Sequence, residues 1–189
     1  LEVLSIRIIA GELKGRKLVT VAGKETRPTS DRVRESVFNI LGNCVQGARV
    51  LDLYAGTGAM GIEALSRGAK WALFAEGQRA ALAALAKNIK ICSLENRTNI
   101  LKCNILDNLK IIQSHSPAFD LVFIDPPYNE DMIQPTLSHL ARSQCLVKGA
   151  RLAIEHSPRE PIPENQPEFA MADQRRYGKT LVSFLIYML

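Results

Sequence analysis

Short apolar runs alternate along the chain with longer stretches whose apolar positions recur every three or four residues. Runs of the first kind predict buried strands, and stretches of the second predict amphipathic helices. Ile6–Ala10 and Lys17–Val21 flank the glycine-containing turn Gly11–Arg16 and predict a small hairpin. Thr29 or Ser30 can cap a helix running to about Leu41, with Val33, Val37, Ile40 and Leu41 on one face and Arg34 off it; Gly42-Asn43 stops it. Arg49–Ala55 reads as a buried strand, followed by a helix over Ile62–Arg67 closed by Gly68, then a strand over Trp71–Ala75 ending at Glu76. Arg79–Asn96 predicts an alanine-rich helix with core positions at Ala83, Leu85, Ala86, Ile89 and Leu94. Further on come a strand over Thr98–Cys103, a helix over Ile105–Ser114, a strand over Phe119–Ile124, a helix over Asp131–Arg142 and a strand over Gly149–His156. After a proline-rich loop (Pro158, Pro161, Pro163, Pro167), Phe169–Met171 and Thr180–Met188 read as a closing antiparallel pair, with Arg175–Lys179 in the turn between them.

Strands alternating with helices imply an α/β fold with a doubly wound, mostly parallel sheet and right-handed crossovers. Such sheets bind ligands outside the carboxyl ends of their strands. Two loops fall there. Gly56-Thr57-Gly58-Ala59-Met60-Gly61 is a G-x-G-x-x-G that follows a strand and opens a helix, and Glu76 lies at the end of the next strand. Nucleotide-binding folds put an acid on ribose hydroxyls at that place. The other loop is Asp125-Pro126-Pro127-Tyr128. Two prolines cannot continue a ladder, so the loop is stiff and leaves carbonyls free to accept. Asp125 and the Pro126 carbonyl suit the two hydrogens of an exocyclic amine, with the Tyr128 ring stacked on the base. The plain alternative is an Asp-Pro turn after a core strand, with Tyr128 as a packing residue.

Composition narrows the partners. The chain has 189 residues, 47% hydrophobic and 23% charged, ordinary for a globular protein, and one domain with a small appendage is expected. Its net charge of +5 and pI near 9.1 suit a polyanionic partner without requiring one. Residues 1 to 34 carry a net +4, so most of the excess sits in the first fifth. That stretch reads either as a solvated edge ribbon or as a basic flap on phosphates. Cys44, Cys92, Cys103 and Cys145 match no zinc or disulfide pattern, and buried thiols in a reducing cytoplasm are expected. His115, His139 and His156 are scattered, and no metal site is expected. No membrane segment is predicted: the apolar run Leu181–Leu189 is too short to span a bilayer.

A nucleoside site beside a loop that presents an amine suggests methyl transfer from S-adenosylmethionine. The residues also resemble a known family. Asp52-Leu53-Tyr54-Ala55-Gly56-Thr57-Gly58 looks like motif I of class I adenosylmethionine-dependent methyltransferases, and Asp125-Pro126-Pro127-Tyr128 resembles the (D/N)PP(Y/F/W) motif of enzymes that methylate exocyclic amines. Arg7–Gly11 with Lys14-Gly15-Arg16, Arg27–Glu35, Leu65–Ala69 and Tyr177-Gly178 are similar to the bacterial 16S rRNA guanine-966 N2-methyltransferase family, over nearly the whole chain.

That resemblance implies a seven-stranded Rossmann-like methyltransferase sheet over residues 27–189 and a basic RNA-contact hairpin over residues 1–26. It implies S-adenosylmethionine held by Asp52, Tyr54, Ala55, Gly56, Gly58, Glu76, Asn104 and Ile105, with Glu76 on the ribose hydroxyls. Asn104 stands where many class I enzymes have Asp facing the adenine amine. Asp125, Pro126, Pro127 and Tyr128 would orient and stack a flipped guanine for direct in-line transfer. Arg7, Lys14, Arg16, Arg27, Arg32, Arg34, Arg175 and Arg176 are the candidate RNA contacts. The expected partner is 16S rRNA, alone or within a 30S subunit or assembly intermediate, with the enzyme a cytoplasmic monomer. Competing readings are an N6-adenine methyltransferase with the same loop, a nicotinamide-dependent oxidoreductase using the glycine loop and Glu76, and a non-catalytic RNA-binding module.

Overall fold

A computed structural model describes residues 6–21, 31–106, 112 and 118–189. In chain order the elements are β1 (Ile6–Arg7), β2 (Lys17–Leu18), α1 (Asp31–Leu41), β3 (Arg49–Leu53), α2 (Ala59–Ser66), β4 (Trp71–Glu76), α3 (Arg79–Ile91), β5 (Thr98–Lys102), β6 (Phe119–Ile124), α4 (Ile133–Ser143), β7 (Leu146–His156), β8 (Phe169–Tyr177) and β9 (Thr180–Tyr187). One sheet has seven strands in the order β5-β4-β3-β6-β7-β9-β8, parallel from β5 to β7 and antiparallel at β9 and β8. The expected fold class is therefore what the chain adopts.

The central strands are apolar on both faces, as parallel strands covered by helices must be. Val50, Phe74, Leu121, Phe123 and Ala153 pack with Val37 and Phe38 of α1, Ile62 and Leu65 of α2, and Leu85 and Ile89 of α3. Their neighbours Leu51, Leu53, Leu73, Val122, Ile124 and Ile154 point the other way, onto Ile133, Leu137 and Leu140 of α4. The period of two along each strand sorts the core into these two layers.

The N-terminal hairpin is shorter than expected, two residues per strand, but it is firmly docked. Ile6, Ile8 and Leu18 join the core layer of α1 and α2. The buried Glu63 carboxylate accepts the backbone N–H groups of Ile9 (2.7 Å) and Ala10 (3.0 Å). Asn88 of α3 takes the Val19 N–H at 2.7 Å and returns its amide to the Val19 carbonyl at 3.0 Å. Gly11 lies so close to α2 that a Cβ there would fall 1.8 Å from the Ser66 carbonyl oxygen.

Several boundaries differ from the sequence reading. Helix α2 begins at Ala59 instead of Ile62, so Gly61 lies inside it. Helix α3 stops at Ile91, and its buried face is Ala81, Ala84, Leu85, Asn88 and Ile89, leaving the expected core positions Ala83 and Ala86 exposed. On α1 the buried set is Arg34, Val37, Phe38 and Leu41, whereas Ile40 is exposed. Strand β7 starts three residues earlier than expected, and β8 continues through Arg175 and Arg176, which are strand residues and not turn residues. Cys92 and Cys145 are buried as expected; Cys44 is exposed. Thr29, Ser30 and most of the expected helix over Ile105–Ser114 lie outside the described residues.

Candidate active site

The order of the sheet reverses at β3: β4 lies on one side of it and β6 on the other. The crevice outside the carboxyl ends of these strands is the ligand position of open α/β sheets. The loop leaving β3 turns through positive φ at Tyr54 (59°), Gly56 (56°) and Gly58 (80°). Gly58 caps α2 in the left-handed region, and a Cβ there would meet Leu85 Cδ1 at 2.4 Å. Gly61 lets α2 sit against Phe74, whose ring a Cβ would reach at 2.3 Å. Gly56 differs: among the described residues a Cβ built there finds no atom nearer than the Tyr54 carbonyl oxygen at 3.9 Å, so that face is open to a ligand there.

Carboxylates fix this loop. Glu76, at the end of β4, accepts the N–H groups of Gly56 (2.8 Å), Gly77 (2.8 Å) and Gln78 (2.7 Å). It joins the glycine loop to the start of α3. Asp52 on β3 is buried and accepts the Gly61 N–H at 2.9 Å. Burial pushes its pKa up to about 8, against the Gly61 hydrogen bond and with help from the Glu76 charge. Tyr54 donates or accepts at Thr136 Oγ1 (2.7 Å), which pins its ring above α4. Asn104 is exposed, and its side-chain oxygen accepts the Leu106 N–H at 3.3 Å. The Ile105 side chain is in the core, so what it presents outward is backbone.

The Asp125–Tyr128 loop leaves β6, the strand beside β3. Ile124 pairs with Ile154 of the parallel neighbour β7, so the next residues, Asp125 and Glu155, emerge side by side. Both line a small crevice with Val37, Met60, Phe123 and Val182. Asp125 keeps solvent-accessible surface, yet the surrounding protein desolvates it; that burial, then the Glu155 and Asp52 charges, raises its pKa well above the usual carboxylate range. Tyr128 donates its hydroxyl to Glu155 Oε1 at 2.8 Å and lies 3.1 Å from Thr180 Oγ1. Burial and the Glu155 charge raise the phenol pKa as well. Tyr128 as a residue is still 39% exposed, so it is available for a ligand to approach. Downstream, Glu160 accepts the Asn129 N–H at 3.0 Å and tethers the loop.

Glu155, Thr180 and Glu160 were not singled out from the sequence. The available signal for Glu155 was its place at the end of an apolar strand, the same place Asp125 holds. His156 beside it is buried between the Ser157 and Glu160 carbonyls and Ser183 Oγ, and burial lowers its pKa, so it is a neutral packing residue.

The candidate RNA contacts divide. Arg34 is a correction: it is 1% exposed, bonded to the Arg7 carbonyl and to Asp31 Oδ1 at 3.0 Å, with Glu63 Oε2 at 3.9 Å. A guanidinium in that position holds the hairpin to α1 and α2 and cannot reach a phosphate. Lys14, Arg16, Arg32, Arg175 and Arg176 are exposed. Arg7 is exposed but paired with Asp31 at 3.1 Å, and Arg175 with Asp173 at 3.0 Å. Arg27 lies outside the described residues. Among the described residues no cluster of three or more metal-ligating side chains occurs, and no helix is long and apolar enough to cross a membrane.

Comparison with known proteins agrees with this architecture. Residues 6–186 match the family described as Conserved hypothetical protein 95. The chain is 36% identical over 186 residues to ribosomal RNA small subunit methyltransferase D of Haemophilus influenzae, covering 96% of this chain and 93% of that one. It superposes on a solved Escherichia coli structure assigned as a methyltransferase, yhhF, with a TM-score of 0.85 and 30% identity, over 97% of this chain and 98% of that one. A more distant fold relative, SMU.776, solved in complex with SAH, has a TM-score of 0.62 and 17% identity over 82% of this chain and 48% of that one. The protein belongs to the Conserved hypothetical protein 95 family, together with the small-subunit ribosomal RNA methyltransferases D.

Proposed function

We propose that this protein methylates small-subunit rRNA, and that it transfers the methyl group from S-adenosylmethionine to the exocyclic N2 of a guanine in 16S rRNA. The observation that carries the proposal is the adjacency of the two loops. The Gly56–Gly58 turn ends β3, and the Asp125–Tyr128 loop ends its parallel neighbour β6. A donor lying over the first would have its reactive end beside an amine held by the second.

The residues fit the cofactor. The open face at Gly56 admits a ligand against the backbone, and Glu76 is a carboxylate already anchored by N–H groups beside that face. Asp52, Tyr54, Ala55, Gly58, Asn104 and Ile105 complete the proposed pocket. The cofactor supplies a methyl group already activated on a sulfonium. What the chain has to supply is proximity and alignment, which for well-oriented groups reach effective concentrations of about 10⁵–10⁸ M. Asp125 and the Pro126 carbonyl would accept the two N2 hydrogens, and Pro127 would stiffen the loop. The exposed Tyr128 ring would stack on the flipped base. After transfer the surplus proton would leave the amine to Asp125 or to water.

The hairpin within residues 1–26, with Arg7, Lys14 and Arg16, is proposed as one RNA contact, and Arg27, Arg32, Arg175 and Arg176 as others, around a catalytic unit over residues 27–189. These cations would carry sequence-independent affinity for phosphates. A monomer acting on 16S rRNA, free or assembled into a 30S particle, fits this footprint. The test is transfer of labelled methyl to 16S rRNA and to 30S particles that lack the modification. Label in the RNA with either substrate supports the proposal and identifies the assembly state recognised. Label in neither, with cofactor binding intact, rejects it in favour of a binding module or another substrate.

A further inference from the structure

We infer that Glu155 selects the target base by accepting the N1–H of guanine while Asp125 takes a hydrogen of its N2 amine. The inference deepens the proposed function and rests on it. The register Ile124↔Ile154 brings the two carboxylates out side by side at the carboxyl ends of β6 and β7. They face one crevice whose other walls are apolar: Val37 and Met60 from the helical layer, Phe123 and Val182 from the sheet. Among the described residues lining it, Asp125 and Glu155 carry the polar side chains, so a flat ring lying across its mouth meets them at one edge.

A carboxylate oxygen accepts and does not donate, and a carboxyl group that holds a proton, as the raised pKa of Asp125 favours, still accepts through its other oxygen. Tyr128 strengthens that bias. Its hydroxyl donates to Glu155 Oε1 at 2.8 Å, which orients the carboxylate and spends the phenolic proton. A carboxylate has acceptor capacity for more than one such bond. The Glu155 side of the edge, which already takes the Tyr128 proton, is therefore an acceptor for the base.

The bases answer such an edge differently. Guanine offers two neighbouring donor groups, the N2 amine and N1–H. Adenine offers an N6 amine beside the N1 lone pair, and cytosine an N4 amine beside the N3 lone pair. With any of the three amines at Asp125, only guanine turns an N–H towards Glu155. The other two oppose a lone pair to a carboxylate. A site built to bond an N–H discriminates strongly against an analogue that lacks it, because its own polar group is left unpaired. The same loop chemistry can therefore serve different bases in different proteins, and the residue one strand over decides which.

The discriminating substrate is 16S rRNA ligated from segments so that the target guanine is replaced by 2-aminopurine. That base keeps the N2 amine but has a lone pair at N1. Assembled particles would be used if they are the better substrate. The wild-type enzyme is expected to prefer guanine over 2-aminopurine by about 100-fold or more in kcat/KM. In Glu155→Gln the guanine rate should fall about 10- to 100-fold, the size of a lost charge-assisted hydrogen bond, and the preference should collapse towards unity because the amide can donate to N1. Binding of S-adenosylhomocysteine should not change. Tyr128→Phe, which removes one hydrogen bond from the carboxylate without removing the carboxylate, should shrink the preference in the same direction, and serves if the Gln variant does not fold. Methylation of guanine by wild type together with an undiminished preference in these variants overturns the inference alone. No methylation of guanine by wild type, with cofactor bound, overturns the functional proposal and the inference together.

Discussion

Glu76 reaches back from the end of β4 to accept the backbone N–H of Gly56, 20 residues earlier, at 2.8 Å. The same carboxylate holds Gly77 and Gln78, so one side chain braces both walls of the proposed cofactor pocket. Removing it would leave three N–H groups without that acceptor. Glu76→Ala should weaken S-adenosylhomocysteine binding by about 10- to 100-fold and lower stability by about 1–3 kcal/mol. Titration calorimetry and urea unfolding would check the two effects. Unchanged cofactor affinity would remove Glu76 from the pocket.

Glu63 is the pin of the N-terminal hairpin. It is fully buried, accepts Ile9 and Ala10, and pairs with Arg67 Nε at 2.7 Å. Truncating one member of a buried, bonded charge cluster strands the others. Glu63→Ala should cost about 3–5 kcal/mol of unfolding free energy, measured by urea denaturation. Gly11→Ala tests the same docking from the other side. Its methyl group would collide with the Ser66 carbonyl, so the hairpin should become protease-sensitive while the sheet core stays protected.

Stability should also depend on pH through Asp52. Its pKa is about 8 in the fold and near 3.8 in the unfolded chain. A raised acid is protonated in the fold over that window and ionised in the unfolded state. Its contribution is complete below about pH 3.8 and is lost as pH rises through about 8. Asp52→Asn keeps an oxygen for the Gly61 N–H and should flatten the decline in unfolding free energy between pH 5 and 8. Asp125 is raised in the same direction, so part of the slope should persist in the variant. An unchanged slope would show that Asp52 is ionised in the fold.

Arg175 and Arg176 stand exposed on β8, the edge strand of the sheet. If they meet phosphates, replacing both with Ala should weaken RNA binding about equally for all sequences. The log–log slope of affinity against salt should fall by roughly 0.7–0.9 per lost contact. A salt series with filter binding or fluorescence anisotropy would report it. The Arg34→Ala variant should instead lose stability, since that guanidinium is buried against Asp31 and Glu63.

What was legible in the sequence follows from physics of short range. Strands β3, β4 and β6 were readable nearly to the residue because strands buried on both faces are continuous apolar runs between turn residues. The glycine loop and the Asp125 loop were readable because each encodes its own backbone geometry. The face of α3 was misphased because alanines mark no side: Ala81 and Ala84 are inside, Ala83 and Ala86 outside. Arg34 looked like a surface cation because two of the groups that enclose it, the Arg7 carbonyl and Glu63, lie far from it along the chain. The length of β8 was missed because an edge strand tolerates Gln174, Arg175 and Arg176. Glu155 acquired meaning only from the register of β7 against β6, which no local pattern reveals.

The most direct measurement of the central claim is nucleoside analysis of 16S rRNA after methylation by wild type and by Asp125→Ala, each with S-adenosylmethionine. The account predicts N2-methylguanosine from wild type and a loss of at least about 100-fold in the variant, with cofactor affinity within a few-fold, since Asp125 acts on orientation of the amine. N6-methyladenosine, or an Asp125→Ala enzyme as active as wild type, would contradict it.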